Sequence, residues 1–142
     1  MKLMTYRLGA LLTTLLALSA PLSVAAAHAA PAVVPPPHDA RKISAFLTGF
    51  YGHHGPTDYD RHNRVSEVLK DRQRDRADAD VLLCAPGTPQ DITVGPVTVA
   101  ETAGVGWATV TTHWDSGKTD TFTAYVRLDS QPIYLDDVIC AG

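Results

Sequence analysis

The sequence predicts an α+β domain in which N-terminal helices pack on one face of a curved antiparallel sheet closed by one disulfide. Three observations predict it. An apolar stripe recurs at helical spacing after residue 39. The pattern switches to period two, rich in Val, Thr and aromatics, from residue 81. Two cysteines, Cys84 and Cys140, sit in a chain whose start reads as an export leader.

With 142 residues, 45% of them hydrophobic and 19% charged, the chain has material for one domain and is excluded from the disordered and collagen-like classes. Twelve basic residues against fifteen acidic ones exclude bulk electrostatic attraction to nucleic acid or to an anionic membrane, so neither is an expected partner.

Lys2 and Arg7 precede an apolar run from Leu8 to Leu18, and Ala27-His28-Ala29 is a small-x-small cleavage pattern. Residues 1–30 therefore read as a Sec-type signal peptide, and the mature protein is expected to be secreted. The run is broken by Thr13, Thr14, Ser19 and Pro21, short of the roughly 20 residues that a membrane span needs. The segment holds no cysteine for a lipid and no paired arginines for the twin-arginine route. Residues 31–38, with Pro31-Ala32-Val33-Val34-Pro35-Pro36-Pro37, form an extended spacer, and the domain is expected over residues 39–142. In an oxidising compartment two cysteines allow a single intramolecular bridge, Cys84 to Cys140, which would stabilise by about 4 kcal/mol through loop entropy. Free thiols or an intermolecular bridge are the alternatives.

The first helix is expected from Asp39, a good N-cap, to Tyr51. Ile43, Phe46, Leu47, Phe50 and Tyr51 line one face, and Gly52 closes it. A second helical segment carries Val65, Val68 and Leu69 and runs on through Lys70 to Arg76, whose alternating charges make a solvated surface. Strands are expected at Val81 to Cys84, Ile92 to Glu101 with a break at Gly95-Pro96, Val105 to Trp114, Thr119 to Leu128 and Ile133 to Cys140.

A three-residue loop, Asp115-Ser116-Gly117, sets Trp114 against Lys118, so Val110 faces Phe122, Ala108 faces Ala124 and Trp107 faces Tyr125. The turn Asp129 to Pro132 sets Leu128 against Ile133, Val126 against Leu135, Ala124 against Asp137 and Phe122 against Ile139. The expected core face is then Val110, Phe122, Val126, Leu128, Ile133, Leu135 and Ile139, with Gly106, Ala108, Ala124 and one carboxylate, Asp137. Trp107, Tyr125 and Tyr134 fall on the other face.

An isolated carboxylate in a core must find donors or titrate abnormally. Asp137 is either a structural residue bonded to the Tyr51 hydroxyl or to Arg64, or a general base or ligand anchor with His62 or Tyr51 as its acid partner. The segment Gly52 to His62 gathers His53, His54, Asp58, Asp60 and His62, ligand types for Zn or Cu, but in no recognised metal framework. A solvated interhelical connection is the favoured reading, and no metal or other cofactor is expected. No Gly-x-Ser-x-Gly and no glycine-rich phosphate loop occurs, and two cysteines without a rigid bridged loop argue against a secreted protease inhibitor. The outer aromatics Trp107, Tyr125 and Tyr134 either stabilise the sheet or form a surface for a second copy or another protein.

The amphipathic helix ending Phe50-Tyr51, the charged second helix, the Asp80-x-x-x-Cys84 step, the strand meander and the terminal Leu135-Asp136-Asp137-Val138-Ile139-Cys140 together resemble the nuclear-transport-factor-two-like superfamily of cone-shaped α+β domains. Within it the chain is most similar to a domain-of-unknown-function group of exported and lipid-anchored bacterial proteins. Their last strand typically reads Trp-x-Ile-Asp-x-Ile and often ends in Cys. The resemblance covers Asp39 to Cys140. Ile133 stands where Trp is usual, and the missing lipid-anchor Cys implies a freely diffusing relative. The resemblance implies a fold with a cavity but no single activity, since members include enzymes, ligand binders, assembly domains and immunity proteins. The function expected is a secreted binding or structural module with a small cavity for a small ligand or protein partner. The alternative is a cofactor-free hydrolase or isomerase using Asp137 with His62 or Tyr51.

Overall fold

A computed structural model describes residues 37–141. The segment read as a signal peptide and the spacer as far as residue 36 lie outside the described residues. Helix α1 is Ala40–Tyr51: Asp39 caps it by accepting from the Lys42 N–H at 2.8 Å, and Ile43, Phe46, Leu47, Phe50 and Tyr51 are all buried, as their spacing predicts. The expected second helix is present, shortened at its start, and an additional short helix precedes it. Helix α2, Asp58–Asn63, occupies part of the stretch read as a loop. Thr57 caps it, accepting from the Asp60 N–H and donating to Asp60 Oδ2 at 2.6 Å. Helix α3, Glu67–Asp75, is capped by Ser66. Val65 is not helical: the chain there runs parallel to residue 135, with Leu135 N–H donating to Arg64 O at 2.8 Å and Ser66 N–H to Leu135 O at 2.9 Å. Leu69 is enclosed, whereas Val68 points to solvent, 64% exposed.

Strands β1 (Asp91–Val94), β2 (Thr98–Ala100), β3 (Val105–His113), β4 (Thr119–Arg127) and β5 (Leu135–Cys140) form one antiparallel sheet in the order β1-β3-β4-β5, with β2 also on β3. Strands β1 and β2 share one side of β3 because the chain jogs at Gly95-Pro96, where the Gly95 N–H donates to Thr109 O at 2.8 Å. A Cβ at Gly95 would stand 3.1 Å from that carbonyl, a tight contact that the absence of a side chain avoids. The β3–β4 hairpin has the expected register. Trp114 pairs with Lys118, Gly117 takes the left-handed conformation at φ 75°, Val110 faces Phe122, Ala108 faces Ala124 and Trp107 faces Tyr125.

Two further expectations fail. Val81 to Cys84 is a turn rather than a strand: Asp80 gathers it by accepting from the Leu82 N–H on Oδ1 and the Leu83 N–H on its carbonyl, and Cys84 sits at φ 54°. The second correction concerns β5. Val126 faces Leu135 as expected, but a β-bulge follows, so Tyr125 faces Asp137, Ala124 faces Val138, Thr123 faces Ile139 and Phe122 faces Cys140. Leu135 and Val138 therefore both point to the core, while Asp137 and Ile139 turn to the outer face, Ile139 being 54% exposed. An unbroken strand would place a carboxylate among Phe122, Ala124 and Leu135. Asp136 as the extra residue avoids that desolvation, and its carbonyl is held by the Ser66 hydroxyl at 2.7 Å. Ile133 lies before β5, half-buried at the margin of the core. Cys84 and Cys140 are joined, with Cα atoms 5.6 Å apart.

Candidate functional site

The space between α1 and the sheet is packed with rings. Phe46 and Phe50 lie 5.7 Å apart, Phe50 and Tyr51 5.1 Å, and Tyr51 and Phe122 5.5 Å between centroids, and none of the four is more than 4% exposed. The Tyr51 hydroxyl is buried and has no hydrogen-bond partner among the described residues. Burial, and then the nearby Asp80 carboxylate, push its pKa well above the usual phenol value, with Arg61 opposing.

The three residues expected to share a catalytic centre do not meet. Tyr51 is enclosed in the core. His62 lies on the exposed side of α2, its Nδ1 donating to Asp58 O at 2.7 Å. Asp137 is on the outer side of β5, where Oδ1 accepts from Arg72 Nη1 at 2.9 Å and from the Val138 N–H at 2.8 Å. Its partner is thus Arg72, not the expected Tyr51 or Arg64. Neighbouring Asp136 is held above the usual carboxylate range by burial, with Arg127 drawing it down and Asp137 and Asp129 pushing it up.

The histidine-rich segment likewise disperses. His53 Nδ1 donates to Asp91 Oδ1 at 2.7 Å, and His54 Nδ1 to Pro89 O at 3.2 Å. Asp58 begins α2, and Asp60 is buried between the Thr57 hydroxyl and Arg64 Nη1 at 3.0 Å. Among the described residues no three His, Cys, Asp or Glu side chains converge on a point where a metal could sit. The hydrogen bond from His53 holds Asp91 below its usual range against the opposing effect of burial, but this pair is exposed and contributes little stability.

The outer sheet face has a definite chemistry. Rows across the strands read Thr93, Thr111, Thr121; then Thr109, Thr123, Ile139; then Trp107, Tyr125, Asp137. The Trp107 and Tyr125 rings are 6.0 Å apart, and Tyr134 lies near Arg127 just before β5. All three aromatics are half-buried rather than fully presented, so packing takes up part of their area. The result is a hydroxyl-bearing surface ending in an aromatic row.

Sequence reasoning missed two concave features. A groove of about 690 Å³ runs beside the disulfide, with Trp114, Gly87, Lys118 and Asp120 in its wall. The Lys118–Asp120 ion pair at 3.1 Å balances its charge. A notch of about 660 Å³ lies between the start of α1, Arg64 and residues 131–133, with His38, Lys42 and Phe46 in its wall. Neither is legible in the sequence, because each joins residues far apart in the chain. No described helix is long and apolar enough to cross a membrane. No protein-family model, curated protein or solved structure matches the chain.

Proposed function

We propose that the protein is an exported, disulfide-closed binding module of the nuclear-transport-factor-two-like kind that acts without catalysis. The observation that carries this reading is the filled interior. A catalytic centre under the helices needs room for substrate beside an acid–base pair, and Phe46, Phe50, Tyr51 and Phe122 occupy that room. The separation of Asp137, His62 and Tyr51 supports the same conclusion. The leader pattern and the disulfide support export. Recognition falls to the outer sheet face, where Trp107, Tyr125 and Tyr134 offer rigid amphipathic contacts to a protein partner or a second copy.

The secreted protein and its Asp137→Asn and Tyr51→Phe variants are assayed with ester, glycoside and enolisable-ketone substrates. Sedimentation of the wild type is compared with that of Trp107→Ala and Tyr125→Ala. Concentration-dependent association that is lost in the two aromatic variants, without turnover, is the expected result for a second copy. Turnover that vanishes in folded Asp137→Asn protein overturns the proposal.

A further inference from the structure

The notch at the start of α1 joins an apolar floor to a basic rim. Phe46, Ala45 and Ile133 supply the floor, His38, Lys42 and Arg64 the rim, and no carboxylate lines it. Arg64 is the better-placed of the two cations. Its backbone N–H donates to Asp60 O at 2.9 Å, its carbonyl accepts from Leu135 at 2.8 Å, and its guanidinium carbon lies 4.7 Å above the Phe46 ring. Asp60 engages only Nη1, at 3.0 Å. Nε and Nη2, the side of the guanidinium whose two parallel N–H groups match a carboxylate, make no hydrogen bond among the described residues.

Lys42 is in no ion pair among the described residues, and the adjacent Asp39 carboxylate is occupied in capping the Lys42 backbone N–H. His38 Nε2 donates to Ser130 O at 2.7 Å, which anchors that wall. The rim thus offers a preformed two-donor fork and a second positive charge beside exposed Ala45 and half-buried Ile133, over the buried Phe46 ring. A neutral apolar molecule leaves the fork unused, and an inorganic anion leaves the floor wet.

We infer that this notch binds a free organic acid of small size, with its carboxylate on the open fork of Arg64 beside Lys42 and its apolar body on Ala45 and Ile133. This site is separate from the outer sheet face and stands whether or not that face has a partner. Octanoate is the probe, with octanol and inorganic phosphate as controls that each lack one half of the chemistry. Each is titrated into the isotope-labelled secreted protein while amide shifts are followed. Octanoate should shift residues 38–46 and 131–133 in a saturable way, and both controls should bind at least about tenfold more weakly.

Arg64→Lys keeps the charge but removes the fork, and should weaken octanoate roughly tenfold. Lys42→Gln, at an exposed position where folding is not at stake, should weaken it about threefold at low salt, with the loss shrinking as salt is added. Octanol binding as tightly as octanoate, phosphate binding as tightly as octanoate, or unchanged octanoate affinity in both variants would each overturn the assignment.

Discussion

The bulge at Asp136 decides which of two adjacent residues is in the core, and paired threonine substitutions test it. Val138 is 3% exposed on the helix side of β5 and Ile139 is 54% exposed on the other. Threonine is nearly isosteric with valine and keeps the preference for extended backbone, so Val138→Thr changes little except to place a hydroxyl among apolar neighbours. That costs about 1–3 kcal/mol when no partner is available. At position 139 the new hydroxyl lies beside Thr123 on a solvated face, and the change should stay within about 0.5 kcal/mol. The assay is urea unfolding of the oxidised protein followed by far-UV circular dichroism. With an m value of about 1 kcal/mol/M, Val138→Thr should lower the midpoint by about 1–3 M and Ile139→Thr by less than about 0.5 M. An unbroken strand exchanges the two results, so a larger loss in Ile139→Thr refutes the bulge and returns Asp137 to the core side.

Three further outcomes follow from named contacts. Asp60 is held below its usual range because the Thr57 hydroxyl and Arg64 outweigh its burial. Its contribution should therefore be present above pH about 4 and fade as pH falls through the lower folded value, and Asp60→Asn should cost about 1 kcal/mol at neutral pH and progressively less as urea titrations are taken below pH about 4. A Cβ at Gly106 would stand 2.5 Å from Ile43 Cδ1, so Gly106→Ala should cost about 1–3 kcal/mol. Ile43→Val in the same chain should recover part of that loss, a non-additivity that a double-mutant cycle measures. Tyr51→Phe removes a buried hydroxyl with no partner among the described residues and should leave thermal stability unchanged or raise it; a loss above about 1 kcal/mol shows that the hydroxyl is bonded.

What the sequence made legible was whatever depends on neighbours in the chain. The stripe from Ile43 to Tyr51 needs only the helical period, and the β3–β4 register needs only Gly117 in its left-handed turn and an unbroken alternation on either side. The cysteine pairing came from the compartment and from counting. The missed elements had competing local patterns. Val81-Leu82-Leu83-Cys84 is apolar enough for a strand, but Asp80 binds back to its own turn more favourably. Helix α2 did carry a signal, the Thr57-x-x-Asp60 capping pattern, which the histidines and Gly-Pro around it obscured. The bulge left no mark of its own. Two adjacent aspartates suit an extended strand equally well, and only the three-dimensional cost of turning one of them inward selects the extra residue. That is why the catalytic grouping of Asp137 with Tyr51 and His62 dissolves: it rested on a parity that Asp136 reverses.

The same extra residue governs the covalent closure of the fold. With it, Cys140 stands opposite Phe122, on the side of the sheet from which it reaches Cys84. Without it, Ile139 takes that place and Cys140 emerges among the outer threonines, with the sheet between the two sulfurs. The disulfide is thus matched to one strand registration: a chain slipped by one residue at β5 presents its terminal sulfur to the opposite side of the sheet from Cys84.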